Sequence, residues 1–341
     1  MPGEWTHREI LQQFACWKQL RERLRGDIIL PTTPTRHVLM VGCGSSLWAA
    51  TWGAWWWSSG LAIQARALPA SLLWRDPEMA LDGLDDPLLV ALSRTGETTE
   101  VLEAIASYRR VYGSKAVVWG LTCEPECSLV KASDRAIVLP VEERSVVTTS
   151  AQTSALLTLW DWARQNGCAV PELPGDREID IQEARFHALE PRLARLAADD
   201  TLSHVMILGS GADHAIAAEG ALKFREMALD VAVEALPTYE VRHGYRAVVG
   251  PATLAIWIER DGEEAVLRDL VASGATGLVL GERVRFVRAG AEEDWGPWCE
   301  TRGPWRGMCA LPLMHALAYH RAIHRRLDPD EPRQLTRTVR L

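Results

Sequence analysis

HVLMVGCGSSL at residues 37–47 and HVMILGSGADH at 204–214 decide how this chain is read. Each begins with a histidine and four consecutive apolar residues, passes through a Gly-x-Gly turn, and continues into a segment that can open a helix. That order describes a buried strand of a parallel sheet delivering the chain to a helix N-terminus. A second pair of motifs keeps the same interval. PLLVALSRTGETTEVLEAIASYRR (87–110) matches ATLAIWIERDGEEAVLRDL (252–270); Gly209 follows Gly42 by 167 positions, and Glu259 follows Ser93 by 166. Two motifs displaced together indicate an internal duplication. The expected fold is therefore α/β, with two tandem doubly wound parallel-sheet subdomains in three αβα layers.

Working outward, AVVWGLT (116–122) and RAIVLPV (135–141) supply further short strands to the first copy, and SVVTTSAQTSALLTLWDWARQ (145–165) closes it with a turn and a helix. Before the first copy, Thr6 and Glu9 have capping-box spacing, and Ile10, Leu11, Phe14, Trp17 and Leu24 recur at helical intervals. That helix should end near Gly26, with Pro31 and Pro34 beyond it. Trp48, Trp52, Trp55 and Trp56 follow at near-helical spacing, which reads as a face packed into a core or a subunit interface. The joint between the copies falls in VPELPGD (170–176) and the charged helix after it. The expected segments are an N-terminal helical stretch (1–35), a first domain (36–168), a linker helix (169–200), a second domain (201–315) and a C-terminal helix and tail (316–341).

Composition narrows the function. The 341 residues allow two domains or one duplicated domain, and 48% hydrophobic with 24% charged residues suits a chain with a substantial core. A net charge of −8 with no basic run argues against nucleic acid as a partner. No apolar stretch is long enough to span a bilayer, and the polar start MPGEWTHREI is unlike a signal peptide, so a cytoplasmic protein is expected. Seven scattered cysteines do not form a disulfide framework, and Cys123 with Cys127 lack the second pair a metal site would need. No metal and no cofactor is expected.

Hydroxyl side chains gather at three successive strand ends of the first copy: Ser45 and Ser46; Ser93, Thr95, Thr98 and Thr99; Thr148, Thr149 and Ser150. Small neutral donors beside helix N-termini suit a phosphate monoester. In the second copy the SRTGE turn becomes ERDGE, where Glu259 and Asp261 would repel that anion. The second copy offers charged groups instead. Glu219, Lys223 and Glu226 lie at i, i+4 and i+7 of one helix; the Glu219/Lys223 pair alone reads as surface support, whereas Glu226 is a candidate base. His243, three residues after Glu240 and just before a glycine, is a candidate for proton transfer near neutrality.

In series, GCGSS, SRTGETTE, SVVTTSAQT, EGALKFREM, RHG and DPDEPRQLTR resemble the sugar isomerase (SIS) domain proteins over about residues 36–341. The nearest patterns are the isomerase half of glutamine–fructose-6-phosphate aminotransferase and the stand-alone amino-sugar-phosphate isomerases and deaminases. The amidotransferase half is expected to be absent, because a helix follows Met1. The resemblance implies a phosphate-binding set of Ser45, Ser46, Ser93, Thr95 and Thr98, with Arg94 at a position more often Gln. It implies a sugar-binding turn at Val146 and Thr148, and a tail folded over the active site. Glu226 would shuttle a proton between C1 and C2, supported by Glu219 and Lys223; His243 would assist ring opening from the neighbouring subunit of a homodimer. Arg337 stands where the synthase has a lysine, and a guanidinium forms no Schiff base with a ketose. The implied function is a cofactor-free phosphosugar aldose–ketose isomerase, an amino-sugar-6-phosphate deaminase or isomerase (glucosamine 6-phosphate or a relative) working through an enediol or enolamine. The alternatives are a non-catalytic sugar-phosphate-binding regulator and the isomerase subunit of a glutamine-dependent aminotransferase.

Overall fold

The computed structural model describes residues 2–60, 63–299 and 303–341. The chain forms two compact units. One is built from Ala15–Glu143, Ser150–Leu173 and Thr336–Leu341; the other from the residues up to Phe14, Arg144–Thr149 and Pro174–Leu335.

The first of these units carries a five-stranded parallel sheet. Its strands are β1 His37–Gly42, β2 Gln64–Pro69, β3 Leu88–Leu92, β4 Val117–Thr122 and β5 Arg135–Val138, in the order β2-β1-β3-β4-β5. β3 is fully apolar and β1 is so after its leading His37; they pair directly, Val38 opposite Leu88 through Val41 opposite Ala91. β2 lies at the edge and reads QARALP, with no continuous apolar run, so the sequence alone does not announce it. The predicted tryptophan face divides: Trp52 is fully buried, Trp48 and Trp56 are half-buried, and Trp55 is exposed. Several buried indoles donate their N–H groups: Trp57 to the Leu159 carbonyl (3.0 Å), Trp160 to Pro171 (2.8 Å) and Trp162 to Pro31 (2.7 Å), whereas that of Trp52 finds no partner among the described residues.

The other unit repeats the plan through four strands. β6 His204–Leu208, β7 Ala232–Leu236, β8 Thr253–Ile258 and β9 Thr276–Leu280 are parallel in the order β7-β6-β8-β9. The sheet is parallel through these four strands and departs from parallel pairing only beyond β9. β10 Arg283–Arg288 and β11 Ala291–Pro297 extend this sheet as an antiparallel hairpin. Two residues, Gly281 and Glu282, join β9 to β10, too few for a crossover helix, so the chain can only turn back. Around the sheet lie the helices Asp176–Ala197, Ala212–Met227, Glu264–Ala272 and Pro304–His324.

The N-terminal helix spans Glu4–Arg25, so its C-terminal end agrees with the expectation but its start does not. Thr6 lies inside it, and the Thr6/Glu9 spacing is not a capping box. Asp330 caps this terminus instead, accepting from the Trp5 and Thr6 amides at 3.0 and 2.7 Å. Glu9 turns to the segment Arg144–Thr149, where its carboxylate accepts from the Arg144 amide (2.5 Å) and the Ser145 hydroxyl. Among the described residues no helix is long and apolar enough to cross a membrane.

Candidate functional site

In the 2-1-3-4-5 sheet the strand order reverses between β1 and β3, the place where open α/β sheets bind ligands. The chain leaves β1 through Gly42, whose Cβ would stand 2.6 Å from the Ser46 carbonyl carbon; only glycine lets the helix Ser45–Trp57 start this close to the strand. That helix begins with Ser45 and Ser46, and its first turn holds no acidic side chain. Ser93 follows directly on β3; its hydroxyl accepts from the Gly96 amide (3.1 Å) and lies 3.0 Å from the Thr98 hydroxyl. Gly96 has φ +65°, and a Cβ there would collide with the Cys127 sulfur, so this turn too depends on glycine. Thr98 caps the helix Thr99–Tyr112. Two hydroxyl-bearing turns and two helix N-termini thus flank one switch point, an arrangement of neutral donors and positive dipole ends suited to a phosphate.

Arg94 lies in the same turn, but its guanidinium is directed at Glu143, Nη1 to Oε2 3.0 Å, with both side chains nearly buried. The other Glu143 oxygen accepts from the Ser150 hydroxyl and the Ala151 amide, each at 2.9 Å, at the start of the helix Ser150–Gln165. Glu143 is a residue that sequence reasoning missed. It sits in a polar stretch with no periodicity, and only contact shows that it links the turn after β3 to a helix start. The C-terminal residues also meet these turns. The Thr99 amide donates to the Val339 carbonyl (3.3 Å), the Leu341 amide to the Thr99 hydroxyl (3.1 Å), and Arg337 pairs with Glu124 (3.1 Å). In this arrangement Arg337 anchors the tail.

In the second unit, the helix Ala212–Met227 brings Glu219, Lys223 and Glu226 together as their spacing predicts. Lys223 Nζ lies 2.5 Å from Glu226 Oε2 and 3.3 Å from Glu219 Oε1, with side-chain exposures of 0% for Lys223, 1% for Glu219 and 19% for Glu226. The reading of Glu219/Lys223 as surface support is therefore overturned: the stripe faces the core. Burial by itself would lower the Lys223 pKa, but the two carboxylates outweigh it and hold the ammonium above its ordinary value. His315, from the helix Pro304–His324, is fully buried with neither ring nitrogen hydrogen-bonded among the described residues. Burial and the Lys223 charge keep it neutral, well below its ordinary pKa. Glu226 faces a pocket of about 470 Å³ shared with Asp230, Arg325, Asp328, Glu331 and Arg333. Val146 and Thr148 are half-buried in the loop fastened by Glu9. His243 is exposed, after the short turn Thr238–Arg242, and is not brought to the Lys223 cluster by any described contact.

The corresponding turns of this unit carry charges where the first has hydroxyls. Glu259, at the position of Ser93, pairs with Arg285 of β10. Asp213, at the position of Ser46, has its carboxyl against Gly307, and burial pushes its pKa up to about 7 despite Arg260 and Arg306 nearby. A carboxyl raised from 3.8 favours folding while protonated. Its contribution is fully present below the unfolded value and is lost as pH rises through about 7. Asp213→Asn is expected to flatten the decline in thermal midpoint between pH 4 and 7; an unchanged pH profile would show that Asp213 does not titrate in this range.

Comparison with known proteins agrees with this geometry. Residues 33–160 match the SIS domain model. The chain thus contains a stretch of SIS-domain type. Among similar proteins, glutamine–fructose-6-phosphate aminotransferase (isomerizing) from Pseudomonas aeruginosa is 28% identical over 325 residues, covering 89% of the chain and 51% of the aminotransferase. The Zymomonas mobilis enzyme of the same name is 26% identical over 99% of the chain and 59% of its own length. The chain thus spans little more than half the length of these relatives. Among solved structures, glucosamine-6-phosphate deaminase from Thermotoga maritima has a TM-score of 0.81 and 27% identity, covering 98% of this chain and 99% of that one. Tagatose-6-phosphate ketose/aldose isomerase from Escherichia coli, at 20% identity and a TM-score of 0.73 over 98% and 99% of the two chains, shares the fold.

Proposed function

We propose that this protein is a phosphosugar isomerase acting, without a metal or organic cofactor, on an amino-hexose or hexose 6-phosphate. The observation that carries this reading is Lys223, buried completely and gripping Glu226 at the edge of a pocket. A protein that only senses sugar phosphates needs the hydroxyl turns and has no use for a buried ammonium aimed at a carboxylate. In the proposed scheme Ser45, Ser46, Ser93, Thr95 and Thr98 hold the phosphate, and Val146 and Thr148 hold the sugar. Lys223 engages one Glu226 oxygen and leaves the other to take the proton from one carbon and return it to its neighbour through an enediol or enolamine. Glu219 balances Lys223 so that its charge is retained in the interior.

His243 is assigned to ring opening from a second subunit. Its loop exposes Tyr239, Tyr245 and Val248 as well, an apolar surface compatible with a partner of the same kind. Release of ammonia from an amino sugar, rather than simple isomerisation, is supported by the 27% identity to a glucosamine-6-phosphate deaminase over nearly the whole chain. The test is a panel of hexose and amino-hexose 6-phosphates assayed for ketose and for ammonia. Ketose with ammonia identifies a deaminase, and ketose alone an isomerase. Ammonia incorporation only when glutamine and a partner protein are added identifies an aminotransferase subunit. Binding without turnover across the panel overturns the enzymatic reading.

A further inference from the structure

Away from these residues, three side chains of metal-ligating type converge at one place: His7, Glu190 and His320, from the helices Glu4–Arg25, Asp176–Ala197 and Pro304–His324. His7 Nε2 lies 2.7 Å and His320 Nε2 3.2 Å from the same oxygen, Glu190 Oε1. The three ligand atoms lie within 4.8 Å of one another. Zinc with nitrogen and oxygen ligands at about 2.0–2.1 Å holds neighbouring ligand atoms roughly 3.3 Å apart in a tetrahedron. Adjustments on the order of an ångström therefore close this set around an ion.

The arrangement is held from outside. The Tyr319 ring stacks on His7 with centroids 4.8 Å apart and planes 8° from parallel. Asp330 accepts from the Trp5 amide (3.0 Å) and from the amide and hydroxyl of Thr6 (2.7 Å each), and Asp328 accepts from the Gly3 amide (2.8 Å). The helical turn that presents His7 is thereby fixed before any ligand arrives. All three side chains remain partly exposed, so an ion has a way in and a water can complete its shell.

We propose that His7, Glu190 and His320 form a zinc site, with two imidazole nitrogens, one carboxylate oxygen and a water in the fourth position. Both imidazoles present Nε2 to a common point, and neutral imidazole with carboxylate is a donor set that suits zinc. The ion would pin the start of the N-terminal helix to two other helices of the same unit. It takes no part in the proposed isomerase chemistry.

The experiment uses the full chain, stripped with a chelator and dialysed, then titrated with Zn²⁺ by calorimetry and with Co²⁺ by visible absorption. One equivalent of Zn²⁺ should bind and raise the thermal midpoint, and Co²⁺ should give the intense bands of a tetrahedral site without thiolate charge-transfer bands. His7→Gln and His320→Gln keep an N–H donor for Glu190 and should fold. Each should weaken Zn²⁺ binding by more than about 100-fold, beyond the 10–100-fold typical of an outer-shell loss. His204→Gln, which interrupts a separate His–Glu pair with Glu234, should leave binding unchanged. Failure of the parent protein to bind one equivalent, an octahedral or thiolate Co²⁺ spectrum, or parent-like binding by both glutamine variants would each overturn the site.

Discussion

Glu226→Gln should lower kcat on the active phosphosugar by about 10²–10⁴-fold, the usual contribution of a positioned acid or base, while the dissociation constant for the same sugar phosphate changes little. The reasoning is geometric. A glutamine still accepts from Lys223 and fills the same space, so the helix Ala212–Met227 and its pocket persist. It cannot take a proton from carbon. The phosphate, in the proposed scheme, is held by the hydroxyl turns and not by Glu226, so affinity should survive the loss of chemistry. Turnover and binding measured on one preparation separate these effects. Wild-type turnover would remove Glu226 as the base, and loss of binding together with turnover would show that it is needed to hold the sugar.

Lys223→Met should cost about 3–5 kcal/mol of stability, because it leaves buried Glu219 without its counter-charge. At roughly 2–4 °C per kcal/mol for units of this size, the melting temperature should fall on the order of 10 °C. The double variant Lys223→Met with Glu219→Gln should recover much of that loss, since a neutral interior has no stranded charge to solvate. Single and double variants compared by thermal or denaturant melts decide the point. Equal losses in both would mean that the cost arises from packing of the lysine stem rather than from its charge.

How far these residues could be read from the chain varies with the interaction involved. β1, β3, β4, β6 and β8 were legible because strands buried on both faces are written as apolar runs. The edge strand β2 was not, since its exposed face needs no apolar residue, and the hairpin β10–β11 was read as neither strand nor turn. Within the proposed site, Ser45, Ser93 and Thr98 could be proposed from the sequence because turn and helix start lie close together in it. Glu143, Glu9 and Asp330 were missed, although each satisfies several donors. Glu9 acts on a segment more than 130 positions away, and Asp330 on the opposite end of the chain. The capping box assigned to Thr6 and Glu9 shows the same limit: the spacing was present, but a distant carboxylate had taken the cap.

By itself the sequence determined that this is an α/β protein with two similar sets of glycine turns, one hydroxyl-rich and the other charged, because strand burial, turn geometry and helix spacing are local and periodic. Only the tertiary structure decided that Lys223 lies buried between two carboxylates, that Arg94 is directed at Glu143, and that His7, Glu190 and His320 meet. Burial and pairing are properties of surfaces that come together from distant parts of the chain. No local pattern records which charges will be withdrawn from water, or which partners will meet them there.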